Sequence, residues 1–100
     1  MKLHFEWDEK KAKENLKNHR ISFDEAITVF SDPFAATIPD PDHSKYEQRF
    51  IGIGTSAKDR VLVVVYTEDG SNVRLISCRK ATPRERRVYE EDINQASRAR

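Results

Sequence analysis

Apolar positions recur along the chain with two different periods, and each period assigns a segment. Leu3 and Phe5 alternate with polar neighbours, which predicts a short first strand. Asp8 then offers an N-cap for a helix through about His19, along which Ala12, Leu16 and His19 recur at helical spacing and leave only a thin apolar stripe. Ser22-Phe23-Asp24-Glu25 has the form of a capping box, and Phe23, Ala26, Ile27 and Phe30 give a second short helix a fuller apolar face that Asp32-Pro33 ends. Asn18-His19-Arg20 is the tight turn between the two. Strand-like segments follow at Phe34 to Ile38, at Phe50 to Ile53, at Val61 to Tyr66 and from Val73 onward. The Val61 to Tyr66 run is almost continuously apolar, as in a strand buried on both faces in the middle of a sheet. Turn residues separate these strands at Pro39-Asp40-Pro41-Asp42-His43-Ser44, at Ala57-Lys58-Asp59 and at Glu68-Asp69-Gly70-Ser71. At Thr82-Pro83-Arg84-Glu85 the pattern changes again: Thr82 can cap, Pro83 suits the first helical position and Glu85 completes a box, so a C-terminal helix starts there. The expected fold is α+β: two N-terminal helices, a four-stranded antiparallel sheet built as a meander, and a C-terminal helix.

Composition narrows the class. The 100 residues are 37% hydrophobic and 35% charged, which fits one small folded domain over residues 1–100 with a limited core. The net charge of +1 hides an asymmetry, because residues 51–100 hold ten Lys or Arg against seven acids while residues 1–50 hold eight against ten. Extended duplex binding is therefore disfavoured, although a local patch can still hold a few phosphates. A lone Cys78 cannot form an internal disulfide, no Cys/His spacing resembles a zinc site, and no cofactor is implied. The opening Met1-Lys2-Leu3-His4 leads into no apolar signal core, and the longest apolar run is too short to span a bilayer, so a cytoplasmic protein without a membrane partner is expected.

The basic patch is at Val73 to Tyr89, where six cationic side chains share the stretch with one acid. The join between strand and helix carries Arg79, Lys80, Arg84 and Arg86 close together, with Glu85 among them and Tyr89 one turn later. Such a cluster suits a phosphate-rich ligand.

The same stretch carries a resemblance. R-x-I-S-x-R-K-A-T followed by R-E-R-x-x-Y resembles the C-terminal signature of the BrnT family, the toxin half of a bacterial type II toxin-antitoxin pair. Further matches are F-E-W-D with Lys11 and Asn15, the S-F-D-E-A block, F-x-D-P, P-D-P-D-H-S, E-x-R-F-x-x-I-G and V-V-x-Y-T-E, which together cover nearly the whole chain. The resemblance implies a RelE-like fold and a metal-independent ribonuclease that cleaves RNA and arrests growth. It also implies a cognate, BrnA-like antitoxin that neutralises the toxin and supplies most of the operator DNA binding. Two departures stand out: Asn18-His19-Arg20 replaces a common Lys-His-Gly, where a left-handed Arg costs about 1 kcal/mol unless Asn18 takes that conformation, and Cys78 replaces a common small Ala.

Metal-free RNA cleavage needs a base for the 2′-hydroxyl, an acid for the leaving oxygen and cations on the phosphorane. With the resemblance, Arg79 and Arg74 become phosphate clamps, Lys80 an assistant and Glu85 a candidate base. Arg84, Arg86, Tyr89 and His43 become candidate RNA contacts. The structural alternatives are a capping role for Glu85, surface ion pairs for the arginines, a core position for Tyr89 and a side-chain-bonded turn around His43. Glu47 and Arg49, alternate residues on one strand, either pair or face the site. His19 suits a helix C-terminus, and Trp7 and Phe5 suit the core. Competing functions are a non-enzymatic inhibitor and an RNA-binding module on the same fold.

Overall fold

The computed structural model describes residues 2–40 and 48–98. In chain order these form β1 (His4–Glu6), α1 (Glu9–His19), α2 (Phe23–Ala26) running into a 3₁₀ turn (Ile27–Ser31), β2 (Ala36–Pro39), β3 (Arg49–Thr55), β4 (Val61–Asp69), β5 (Asn72–Lys80) and α3 (Pro83–Arg98). The predicted second helix is thus only partly α-helical. The β-branched run Ile27-Thr28-Val29 is poorly suited to a helix, and the Thr28 hydroxyl donates to the Glu25 carbonyl at 2.6 Å, so the chain tightens there. Asp32 then stops it by accepting the Phe34 N–H at 2.8 Å, which delays β2 to Ala36.

Among the described residues the strands make one sheet in the order β1-β5-β4-β3-β2. Strands β2 to β5 are the expected antiparallel meander. The expectation of a four-stranded, wholly antiparallel sheet is corrected by β1, which adds a fifth strand parallel to β5 through His4↔Asn72, Phe5↔Val73 and Glu6↔Arg74. Three residues carry too short a local pattern to announce their partner, and α1 rather than a hairpin leads the chain away from them.

A bulge in β5 decides which side chains face which way. Val65 opposes Ser77 but Tyr66 opposes Leu75, so Ile76 has no opposite number. Strict alternation would put Arg74 and Arg79 on opposite faces; the extra residue shifts the phase between them. Cys78, Leu75 and Val73 consequently all point to the buried side, while Arg79, Ser77 and Arg74 share the other with Val63, Val65 and Thr67.

The buried side packs against α1, α2 and the 3₁₀ turn. Ile21, Phe23, Ala26 and Val29 meet Leu62, Val64, Tyr66, Val73, Leu75 and Cys78 there. Each large side chain buried contributes roughly 1.5–3 kcal/mol. Phe30 joins the two layers, edge-on to Phe5 at 5.1 Å and to Tyr66 at 4.9 Å. Gly54 is required by this packing, since a Cβ there would lie 2.8 Å from Val29 Cγ1 and 3.1 Å from Asp32 Oδ2.

Helix α1 does not attach by the stripe its sequence suggests. Leu16 is 51% exposed and Asn15 is 5% exposed. The Asn15 side chain accepts the Cys78 N–H at 2.9 Å and donates to the Cys78 carbonyl at 2.8 Å and the Ile21 carbonyl at 2.9 Å. It therefore does for β5 what a neighbouring strand would do, beyond the point where β1 stops. The turn after α1 is capped by Arg20 itself, at φ 61°, and not by Asn18.

Replacing Asn15 with Leu keeps the size but leaves the Cys78 N–H and two carbonyls buried without partners. The expected loss is about 2–4 kcal/mol, since each such group costs roughly 1–3 kcal/mol, and urea titration of the variant checks it. An equal Leu16→Ala titration should move little.

Candidate active site

Arg79 stands near the end of β5 on the face turned away from α1 and α2. Its guanidinium forks onto Glu85 in the first turn of α3, with Nη1 to Oε1 at 2.8 Å and Nη2 to Oε2 at 3.0 Å. Glu85 has a second duty. Its Oε1 accepts the Thr82 N–H at 2.8 Å while the Thr82 hydroxyl accepts the Glu85 N–H at 3.1 Å, so the capping box at the start of α3 is closed in both directions. The Ser22 box is closed in one direction only: its hydroxyl accepts the Glu25 N–H, but the Glu25 carboxylate turns inward instead.

These contacts set the charge states. The Arg79 guanidinium and then the Thr82 N–H hold the Glu85 carboxyl at about 2, against an ordinary 4.5, and Glu85 in turn raises Arg79. A carboxylate that acidic is a poor proton acceptor at neutral pH, so the geometry describes Glu85 as the counter-ion of Arg79. The pair is nonetheless open to exchange, because the two side chains keep 44% and 36% of their surface exposed.

The other sequence-predicted residues are divided between places. Lys80 follows Arg79 but points to the opposite side, in the row of Leu62. There it lines a cleft of about 710 Å³ with Arg60, Arg86, Tyr89, Glu90 and Ile93. Arg84 is exposed in the first turn of α3, and Arg86 lies 4.0 Å from Glu90. Arg74 shares the face of Arg79, four rungs away at Thr67 against Val63, or about 13 Å at roughly 3.3 Å per residue of strand. His43 and Glu47 lie outside the described residues. Tyr89 is 4% exposed, so its ring is not available for base stacking. Its hydroxyl donates to Asp32 and meets the Thr55 hydroxyl at 2.9 Å, which fastens α3 to the sheet. Burial pushes the Asp32 carboxyl up, but the Thr55 N–H, the Tyr89 hydroxyl and the Phe34 N–H together bring it below its usual range.

Two supporting roles were not read from the sequence, which shows Glu25 only as a capping-box acid and Asn15 only as a family match. Glu25 binds Arg60 through both carboxylate oxygens and accepts the Ser56 hydroxyl at 2.7 Å, tying α2 to the β3–β4 turn. Asn15 fixes the backbone immediately before Arg79. Neither carries a local signal, since both partners are distant in sequence. Cys78 is inert, its thiol pushed up to about 12 by burial.

Three comparisons bear on this site. The family model described as "Ribonuclease toxin, BrnT, of type II toxin-antitoxin system" matches residues 7–85, which include Asn15, Arg74, Arg79, Lys80 and Glu85. Among solved structures, the chain is similar to the crystal structure of the Brucella abortus ribonuclease toxin BrnT. They share 27% identity and a TM-score of 0.60 over 82% of this chain and 97% of that one. No curated protein sequence matches.

The acidity of Glu85 makes a pH-dependent prediction. Its folded pKa of about 2 lies below the ordinary 4.5, so the ion pair stabilises the fold fully above pH 4.5 and loses that effect as pH falls towards 2. Glu85→Gln should therefore melt below wild type at pH 7, with the gap closing between pH 4.5 and 2 in a calorimetric series.

Proposed function

The chain belongs to the BrnT family of ribonuclease toxins of type II toxin-antitoxin systems, and on that premise we propose that it is a metal-independent endoribonuclease, RelE-like in fold and confined to one domain. In this reading it acts in the cytoplasm, its free form arrests growth, and a BrnA-like cognate antitoxin both neutralises it and brings it to operator DNA. The observation that carries the reading is the Arg79 fork, preformed on a carboxylate at the junction of a rigid strand and a helix start.

Glu85 occupies the place of a phosphate. Two guanidinium N–H groups and a main-chain N–H converge on its oxygens at 2.8 to 3.0 Å, the donor set that suits a phosphoryl group gathering charge. The scissile phosphate takes the fork from Glu85, and Arg79 then stabilises the phosphorane formed when the 2′-hydroxyl gives up its proton and attacks phosphorus; collapse leaves a 2′,3′-cyclic phosphate as the 5′-oxygen departs and takes up a proton. Because the bulge turns Arg74 to the same face, it serves a neighbouring phosphate of the same strand. Lys80, Arg84 and Arg86 flank the junction and hold RNA beyond it. Once the phosphate has taken the guanidinium that holds the Glu85 carboxyl down, Glu85 is the carboxylate beside it that can take the 2′-hydroxyl proton, and His43 holds RNA.

Purified protein should cleave RNA undiminished in EDTA. Arg79→Lys keeps the charge and loses the fork, so it and Arg79→Ala should each lower cleavage by roughly 10²-fold, the scale of removing a main oxyanion donor. Full activity in Arg79→Ala would remove the residue from the site. In cells, induction of the wild-type chain alone should stop growth, and co-expression with its antitoxin should restore it.

A further inference from the structure

The sheet has one face under α1, α2 and the 3₁₀ turn and a second that none of these covers. We propose that this second face is the docking surface for the cognate antitoxin, which lays across it a segment alternating aliphatic and acidic side chains. The proposal rests on the toxin reading above.

Register defines the surface. Ile38, Ile51 and Val65 stand side by side across β2, β3 and β4, and Ile53 and Val63 form the next row towards α3. Ile38 is 59% exposed, and Ile51, Ile53 and Val65 are half-buried, whereas Val63 is 4% exposed and closes the band on that side. Single exposed aliphatic residues are ordinary, but the row Ile38, Ile51 and Val65 with Ile53 beside it is contiguous and left open among the described residues, which marks an interaction site. Arg74 and Arg79 border it along β5, four rungs and about 13 Å apart.

The chemistry selects the occupant. Unpaired nucleobases bind by stacking on aromatic rings, and the sheet aromatics Phe50 and Tyr66 stack on each other on the opposite, buried side. The band itself is aliphatic, which suits protein side chains. A second copy of this chain would bring arginines against arginines, a like-charge arrangement that opposes pairing. An added strand beside β2 is also blunted. Asp40 donates its N–H inward to Arg49 at 2.8 Å, so by alternation Pro39 stands where an outward N–H would be needed and has none. The partner therefore lies across the face, with its aliphatic side chains on the band and carboxylates at Arg74 and Arg79. Covering Arg79 in this way also denies it to RNA.

The test uses the small protein encoded beside this chain as the probe. Its affinity is measured by calorimetry for wild type, for Ile38→Glu and for Leu16→Glu, the last placing the same charge on the exposed flank of α1. Ile38 lies three strands from β5, about 14 Å at the usual strand spacing, so its replacement should leave RNA cleavage and melting temperature unchanged. Ile38→Glu should weaken binding by roughly tenfold or more, the scale of losing one interface anchor, while Leu16→Glu should change it less than about twofold. Unchanged affinity in Ile38→Glu, or no complex with wild type, would overturn the proposal. So would lost RNA cleavage with binding intact, which would give the face to RNA. Absence of RNA cleavage by wild type would count against the ribonuclease reading while leaving the affinity comparison valid.

Discussion

The side chain of Asn15 is the interaction on which the arrangement of this molecule turns. Strand β1 accompanies β5 only as far as Arg74, and beyond it the backbone of β5 needs another partner on that edge. Asn15 supplies both a donor and an acceptor to Cys78, and a further donor to the turn before α2. One amide thus fixes the first helix, the inter-helix turn and the end of the strand that carries Arg79. A hydrophobic residue would fill the space and leave β5 unsatisfied at the rung before the arginine fork.

From that rung the constraints run forward into α3. Arg79 is held by Glu85, Glu85 by the cap at Thr82, and the next turn of the helix by Tyr89 on Asp32. Three carboxylates have three duties here, and exposure separates them. Glu25 keeps 2% of its side-chain surface accessible and is committed to Arg60; removing either partner would strand a buried charge. Asp32 is enclosed by main-chain N–H groups and a hydroxyl. Glu85, at 36%, is the one that an incoming phosphate can reach and displace. The molecule therefore keeps its arginine fork oriented without substrate and yet available to it, which is the requirement for a preorganised phosphate site.

The parts legible in the sequence were those whose cause is local. The Thr82 box, the Asp8 cap, the central apolar strand and the basic junction all follow from neighbours within four residues. Others depend on contacts that no local pattern encodes. The three-residue β1 is defined by a partner nearly seventy residues away, and the stripe of α1 misleads because a polar residue, Asn15, is the buried one. The bulge at Ile76 reversed the face of everything after it, so Arg74 and Arg79, which strict period-two alternation would put on opposite faces, share one. Adjacency misled at Lys80 for the opposite reason, since neighbours on a strand point apart. Tyr89 shows the remaining ambiguity: helical spacing placed it on the Glu85 side, and only the position of Asp32 shows that its hydroxyl is spent on holding α3.

The claim that Arg79 exchanges Glu85 for the substrate phosphate is tested most directly by a crystal structure of the protein with an RNA dinucleotide blocked by 2′-O-methylation. The account predicts a phosphate oxygen within hydrogen-bond distance of both Arg79 terminal nitrogens and the Glu85 carboxylate withdrawn from at least one of them. A phosphate bound in the cleft beside Lys80 and Arg86, with the Arg79–Glu85 pair intact, would contradict it.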